Sequence, residues 1–128
     1  MQSGGQGGFN QLIGVETIDP NPDGAHARLP VGEHVLQPFG IVHGGAISTL
    51  AETLTSWATW EAIRDDGMLA FGQSSQASFL RPISGGHVNA TAVARHRGRT
   101  TWVWDCEVTD DEGRLCALVR MTIAVRPA

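Results

Sequence analysis

Between Gly44 and Trp60 the chain carries a single charged side chain, Glu52. Four runs of strand-like sequence then follow one another with only short turns between them. One helix and then strand upon strand is the tightest limit the sequence sets on its fold. Ile47, Leu50, Ala51, Leu54 and Ala58 recur at helical spacing and form one stripe. The spacing predicts a helix from about Gly44 to about Arg64, ended by Asp65-Asp66-Gly67. The strand runs are expected over 69–80, 87–97, 100–109 and 115–125. Val88, Ala90, Ala92 and Ala94 share one face of the second run, and Trp102, Trp104, Cys106 and Val108 one face of the third. Leu115, Ala117, Val119, Met121, Ile123 and Val125 share one face of the fourth. Turns as short as Ser84-Gly85-Gly86, Gly98-Arg99 and Asp110-Asp111-Glu112-Gly113 join antiparallel neighbours. An earlier run, 25–31, follows the turn signal Pro20-Asn-Pro-Asp-Gly24 and supplies a fifth strand, and Phe9 to Val15 a short helix. The expected architecture is α+β: a long central helix, about 30 Å in length, lying against a five-stranded antiparallel sheet. Residues 9–128 form one domain, preceded by a glycine-rich tail over residues 1–8 that is expected to fray.

Bulk properties narrow the function. A length of 128 residues suits one domain, and 41% hydrophobic residues allow a core without staples. A net charge of −4 argues against nucleic acid or an anionic membrane as the main partner. There is no lysine, so each of the nine fixed cations is arginine, which suits planar contacts to carboxylate and phosphate. Cys106 and Cys116 match neither a disulfide framework nor a zinc spacing and are expected to be buried free thiols. The N-terminal residues lack the basic and apolar regions of a signal peptide, and no apolar run approaches membrane-spanning length. A cytoplasmic, soluble protein is expected. GxGxxG, P-loop, HExxH and GxSxG motifs are absent, so neither a metal nor a redox cofactor is expected.

The chemistry concentrates around the start of the helix. An ordinary solvent-facing helix mixes charges on its polar face, whereas this one presents a lone acid among Ser and Thr. That pattern points to a covered site where one acid is needed. A helix N-terminus also offers unpaired backbone N–H groups and the positive end of the helix dipole. Gly44 and Gly45 leave that end uncrowded.

The order of elements, with His-Gly-Gly at the helix start, resembles the hotdog fold. The segment Gln37-(five residues)-His43-Gly44-Gly45-(six residues)-Glu52-(three residues)-Ser56 resembles the glutamate-type hotdog thioesterases. These include one branch of 4-hydroxybenzoyl-CoA thioesterases and the proofreading thioesterase of enterobactin biosynthesis. The likeness continues through Phe79-Leu80-Arg81-Pro82 and Asp111-Glu-Gly-Arg-Leu-Cys116, covering nearly the whole chain after the tail. It implies hydrolysis of an acyl-CoA or aroyl-CoA to the free acid and CoA. The Gly44 N–H would be the oxyanion donor, with the Gln37 amide beside it. Glu52 would be nucleophile or general base, and Ser56 would orient the water or the acid. His43 completes the set, either holding Gln37 and the turn in place or buried on the sheet side. The resemblance also assigns CoA and acyl binding to Gly72, to Phe79, Leu80, Arg81 and Pro82, and to the turn His96, Arg97, Gly98, Arg99, Thr100 and Thr101. Arg95, Arg97 and Arg99 alternate into that turn, a rim suited to phosphates. Where the hydroxybenzoyl-processing relatives place a histidine near the acyl group, this chain has Phe79. With Phe39, Trp57 and Trp60 as further liners, the chamber is expected to be apolar.

Helix geometry adds a constraint. His43 and Glu52 lie nine residues apart, about 2.5 turns and about 13 Å along the axis. They therefore point to roughly opposite sides of the helix. Glu52, roughly opposite the apolar stripe, should face a neighbouring subunit, and the site should join the Gly44 end of one chain to Glu52 of another. A homodimer that pairs into a homotetramer is the assembly the resemblance implies. Two other readings stand beside hydrolysis: a hotdog enoyl-CoA hydratase or dehydratase, with His43 catalytic, and a non-catalytic acyl-CoA-binding module.

Overall fold

A computed structural model describes residues 8–128. The tail expected over 1–8 lies outside the described residues except for Gly8, which opens a short helix, α1 (Gly8–Ile13). β1 (Thr17–Asp19) and β2 (Ala25–Pro30) follow, then the long helix α2 (Gly44–Ile63), and then β3 (Met68–Phe79), β4 (His87–Arg97), β5 (Thr101–Thr109) and β6 (Leu115–Pro127). The strands form one sheet in the order β1-β2-β4-β5-β6-β3, with every neighbouring pair antiparallel. The sheet thus has six strands where five were expected. The extra strand, β1, has three residues, too few to show the alternation by which a strand is recognised in sequence.

The chain passes from β2, near one edge of the sheet, through α2 to β3 at the opposite edge. α2 lies across the inner face, where Ile47, Leu50, Leu54 and Ala58 meet Leu29, Val88, Ala92, Trp104, Val119, Met121 and Ile123 in one core. Ala46, Ala51, Thr55 and Thr59 are buried as well, so the sheet curls well around the helix. The two buried hydroxyls are satisfied: Thr55 Oγ1 donates to the Ala51 carbonyl at 2.8 Å and Thr59 Oγ1 to the Thr55 carbonyl at 2.7 Å. Cys106 and Cys116 are buried free thiols, and burial pushes the Cys106 thiol up to about 12.

Among the described residues β3 pairs only with β6 and has no strand along its other side, and it is exposed over nearly its whole length. The sheet face away from α2 is cross-linked by charge. Asp105 accepts from Arg120 Nε at 2.8 Å and Nη2 at 3.0 Å, and from Arg95 Nε at 2.9 Å. Hydrogen bonding to Arg120 first, and to Arg95 after it, holds the Asp105 carboxyl below the usual carboxylate range. A depressed folded-state pKa stabilises the fold above the unfolded value, near 3.9, and that contribution fades as pH falls through the folded value. Asp105→Asn should therefore lower the urea midpoint at pH 7 while narrowing the gap to the unsubstituted protein below about pH 4. Urea titrations at several pH values check this, and a gap that stays constant down to pH 2.5 contradicts it.

Candidate active site

Between β2 and α2 the chain makes a 3-10 turn (Glu33–Val35) and then a small loop that folds back on itself. Leu36 bridges Val42, the Gln37 N–H donates to the Ile41 carbonyl at 2.8 Å, and the Gly40 N–H to the Gln37 carbonyl at 2.9 Å. Gly40 closes the turn at φ 83°, a left-handed conformation that glycine adopts without strain. The Phe39 N–H donates to Gln37 Oε1. The loop therefore occupies the oxygen of the Gln37 amide, while its NH2 has no partner among the described residues.

His43 is the N-cap of α2. Its Nδ1 accepts the Gly45 N–H at 2.8 Å, and its carbonyl accepts the N–H of Ala46 at 2.9 Å and, at 3.4 Å, that of Ile47. An Nδ1 that accepts leaves the proton of a neutral imidazole on Nε2. His43 is exposed rather than packed on the sheet side. Of the first-turn amides, Gly44 N–H alone has no hydrogen-bond partner among the described residues.

That amide sits at a cavity of about 380 Å³ lined by Gln37, Ile41, Val42, Gly44, Ile47 and the segment from Phe79 to Ile83. Six of the residues singled out in the sequence meet here: Gln37, Gly44, Phe79, Leu80, Arg81 and Pro82. The apolar remainder, Ile41, Val42, Ile47 and Ile83, was missed as lining. Ile47 belongs to the core stripe by its spacing, and the others lie in loops whose approach only the fold creates. The segment after β3 is held by the Cys116 carbonyl, which accepts from Leu80 N–H at 2.8 Å and Arg81 N–H at 3.1 Å. The Val42 N–H donates to the Ile83 carbonyl at 2.7 Å, tying the loop before α2 to the far wall. The Phe79 ring lies directly over Gly44: a β-carbon on Gly44 would stand 2.7 Å from Phe79 Cζ. Phe39, 89% exposed, stands outside the cavity lining, and Trp57, buried, and Trp60, capped by Arg64 at 4.3 Å, are likewise not part of it.

Glu52 is elsewhere. Eight residues beyond Gly44, it lies about 12 Å along the same helix, and it is exposed. Its carboxyl rests against β3 at Gly72, where a β-carbon would stand 3.0 Å from Glu52 Cδ and Oε2. Ser56 follows one turn later and is half-buried. Glu52 therefore leans on the edge strand instead of standing opposite the sheet.

The arginines separate. A bulge in β4 between Ala94 and His96 shifts the alternation. Arg95 points to the outer face and Asp105, while Arg97 stacks on Trp102 at 5.0 Å and bonds the Pro22 carbonyl at 2.6 Å and Asp23 at 3.0 Å. Arg81 and Arg99 are exposed and have no ion-pair partner among the described residues. Gly98 closes the β4–β5 turn through its N–H to the Thr101 carbonyl at 2.8 Å. A β-carbon there would stand 2.7 Å from that carbonyl and 2.6 Å from the His96 ring. The Thr100 carbonyl accepts from Val125 N–H and Arg126 Nη1. No group of three or more His, Cys, Asp or Glu side chains able to hold a metal occurs among the described residues. No helix among them is long and apolar enough to cross a membrane.

A family model described as the thioesterase superfamily matches residues 39–117. The chain belongs to that superfamily. It is 38% identical to a 1,4-dihydroxy-2-naphthoyl-CoA hydrolase of Listeria monocytogenes over 93% of its own length and 96% of the relative's. It superposes on the crystal structure of the thioesterase PA1618 of Pseudomonas aeruginosa, a glutamine-to-alanine mutant, with a TM-score of 0.89 and 35% identity, covering 97% of this chain and 89% of that one. Two crystal structures of the Staphylococcus aureus protein SAV0944 also match. One is a glutamate-to-alanine mutant (TM-score 0.89, 30% identity, 94% of this chain and 100% of that one), and the other a glutamine-to-alanine mutant (0.82, 34%, 87% and 93%). The two replaced positions are fifteen residues apart, the separation of Gln37 and Glu52 here. Like its relatives named thioesterase or esterase, this member of the superfamily is a thioester hydrolase.

The contact between Gly44 and Phe79 gives a test. The ring is half exposed and able to swing away, so Gly44→Ala should change stability by less than about 1 kcal/mol. It should also displace the cavity wall and reduce thioester hydrolysis by about ten- to a hundredfold. Adding Phe79→Ala should recover part of that loss. Thermal melts and thioester turnover of the single and double variants check the coupling.

Proposed function

We propose that this chain hydrolyses the thioester of an aroyl- or acyl-CoA at a site assembled from two copies of itself. The observation that carries the reading is the separation of two complementary halves. One half is a helix-tip amide with no partner among the described residues, beside a side-chain amide whose oxygen alone is engaged, in a cavity with apolar walls. The other is a lone carboxylate about 12 Å away along the same helix, at the open edge of the sheet.

The Gly44 N–H and the Gln37 NH2 would donate to the carbonyl oxygen as it gains negative charge, while the helix dipole adds a fixed positive potential. The acid would come from Glu52 of a second copy, brought over by pairing of the two free β3 edges. Glu52 acts either as nucleophile, forming an anhydride that water then opens, or as base, taking a proton from the attacking water. In both cases the C–S bond breaks, water supplies the new oxygen of the acid, and its proton ends on the departing thiol. Ser56, one turn from Glu52, would orient the water or the carboxylate. His43 spends Nδ1 and its carbonyl on capping α2, which supports a positioning role over the proton transfer a hydratase would require of it.

The apolar lining, with Phe79 over Gly44, favours a flat aromatic or aliphatic acyl group over one read by hydrogen bonds. The aroyl-CoA named for the Listeria relative points the same way. For the CoA phosphates, Arg81 and Arg99 are exposed and without an ion-pair partner among the described residues, whereas Arg95 and Arg97 are engaged within the fold. No cofactor is needed for this chemistry.

Purified protein supplied with benzoyl-CoA and a medium-chain acyl-CoA, followed by release of free thiol, should turn over. Glu52→Ala should lose at least about a hundredfold in rate. The shared site has its own test. Glu52→Ala and Gln37→Ala chains, each impaired alone, should recover about a quarter of the unsubstituted activity when unfolded and refolded as an equal mixture. Half of the random dimers are then mixed, and each mixed dimer holds one intact site of two. A mixture no more active than its components would overturn the sharing, and Glu52→Ala turning over at the full rate would overturn the role of the acid.

A further inference from the structure

α2 meets the sheet almost wholly through apolar contacts, which set its rotation coarsely by burying one stripe but supply little that is directional. Three of its buried positions, Ala46, Ala51 and Ala58, are alanines, which offer little shape to resist rotation. One directional contact stands out. Trp104 Nε1 on β5 donates to Thr59 Oγ1 at 2.9 Å, and neither residue has any exposed surface. It is the only hydrogen bond between α2 and the sheet among the described residues. The Thr59 hydroxyl is used in both senses, accepting from Trp104 and donating to the Thr55 carbonyl at 2.7 Å. The indole N–H makes no other hydrogen bond among the described residues, so a helix rotated away from it takes the acceptor from a buried donor.

Thr59 is seven residues beyond Glu52. Seven residues bring a helix back to within about 20° of the same direction. Thr59 and Glu52 therefore lie on one stripe, two turns apart, and whatever pins Thr59 sets the direction of Glu52. The carboxyl has a narrow seat, since it rests where Gly72 has no β-carbon. A side chain reaching about 6 Å from the helix axis moves about 3 Å for a 30° rotation. An error of about 1 Å at a reacting group is enough to cost on the order of a hundredfold in rate.

We infer that Thr59, through its bond to Trp104, is a positioning residue that sets the rotation of α2 and thereby aims Glu52 at the reacting carbonyl. This rests on the reading of Glu52 as the acid of the site. Thr55 supplies the control: its hydroxyl is buried in the same helix and also donates to helix carbonyls, but it has no partner on the sheet.

The test measures kcat and KM on benzoyl-CoA for Thr59→Val, Thr59→Ser and Thr55→Val, with folding verified by circular dichroism well below each melting temperature. Thr59→Val keeps the shape and removes the acceptor, and it should lower kcat by about ten- to a hundredfold with KM within about twofold. Thr59→Ser retains the hydroxyl and should recover most of the loss, and Thr55→Val should stay within about twofold of the unsubstituted kcat. In a Glu52→Gln background, Thr59→Val should take nothing further from the residual rate, because the group it positions is already disabled. An unchanged kcat in Thr59→Val, an equal loss in Thr55→Val, or the same fold loss in the Glu52→Gln background would each overturn the inference. If Glu52→Gln alone hydrolyses at the full rate, the catalytic reading of Glu52 fails, and that result is distinct from any of these.

Discussion

An α-helix begins with amides that it cannot satisfy itself, and the organisation of this molecule follows from how those of α2 are disposed of. The ring of His43 takes one and its backbone carbonyl two more, leaving the Gly44 N–H. In a buried helix end such an orphan would be a defect. Here it opens on a cavity, beside a glutamine whose oxygen is already engaged by its own loop. The burial of α2 along its flanks and the openness of its tip are both consequences of the sheet that curls around it.

The same helix separates what the proposed chemistry must combine. Its rise sets the backbones of Glu52 and Gly44 about 12 Å apart along one axis, a spacing that the helix hydrogen bonds hold rigid. Glu52 lies instead against the edge strand β3, which among the described residues is the one long strand at a sheet edge. A carboxylate at an open sheet edge and an amide at a far helix tip are unproductive singly. In the proposed function, a two-fold axis would let them complete one another twice over. The functional proposal and the inference about Thr59 both depend on this division. An acid that is to meet a carbonyl held by another copy, as proposed, would tolerate little rotation of the helix that bears it.

Much of the fold was legible because it rests on periodicity. The stripe Ile47, Leu50, Ala51, Leu54 and Ala58 is buried as its spacing predicts, and β4 runs from His87 to Arg97 as expected. β1 escaped because three residues show no period. Arg95, Arg97 and Arg99 looked like one rim on strict alternation, but the bulge after Ala94 sends Arg95 to the outer face while Arg97 turns to Asp23. Trp57 and Trp60 fall outside the cavity because a helix about 30 Å long carries them far from its own tip.

The amino-acid order by itself determined the element types, the lone acid on an otherwise uncharged helix, and the glycines at its start, since each follows from local chemistry and spacing. Tertiary structure decided that the Gly44 N–H opens on a cavity, that Phe79 covers Gly44, and that the buried Trp104 indole bonds Thr59. Those outcomes depend on contacts between residues far apart in the chain, as Trp104 is from Thr59 and Phe79 from Gly44. A linear pattern carries no record of the distances that only the folded sheet creates.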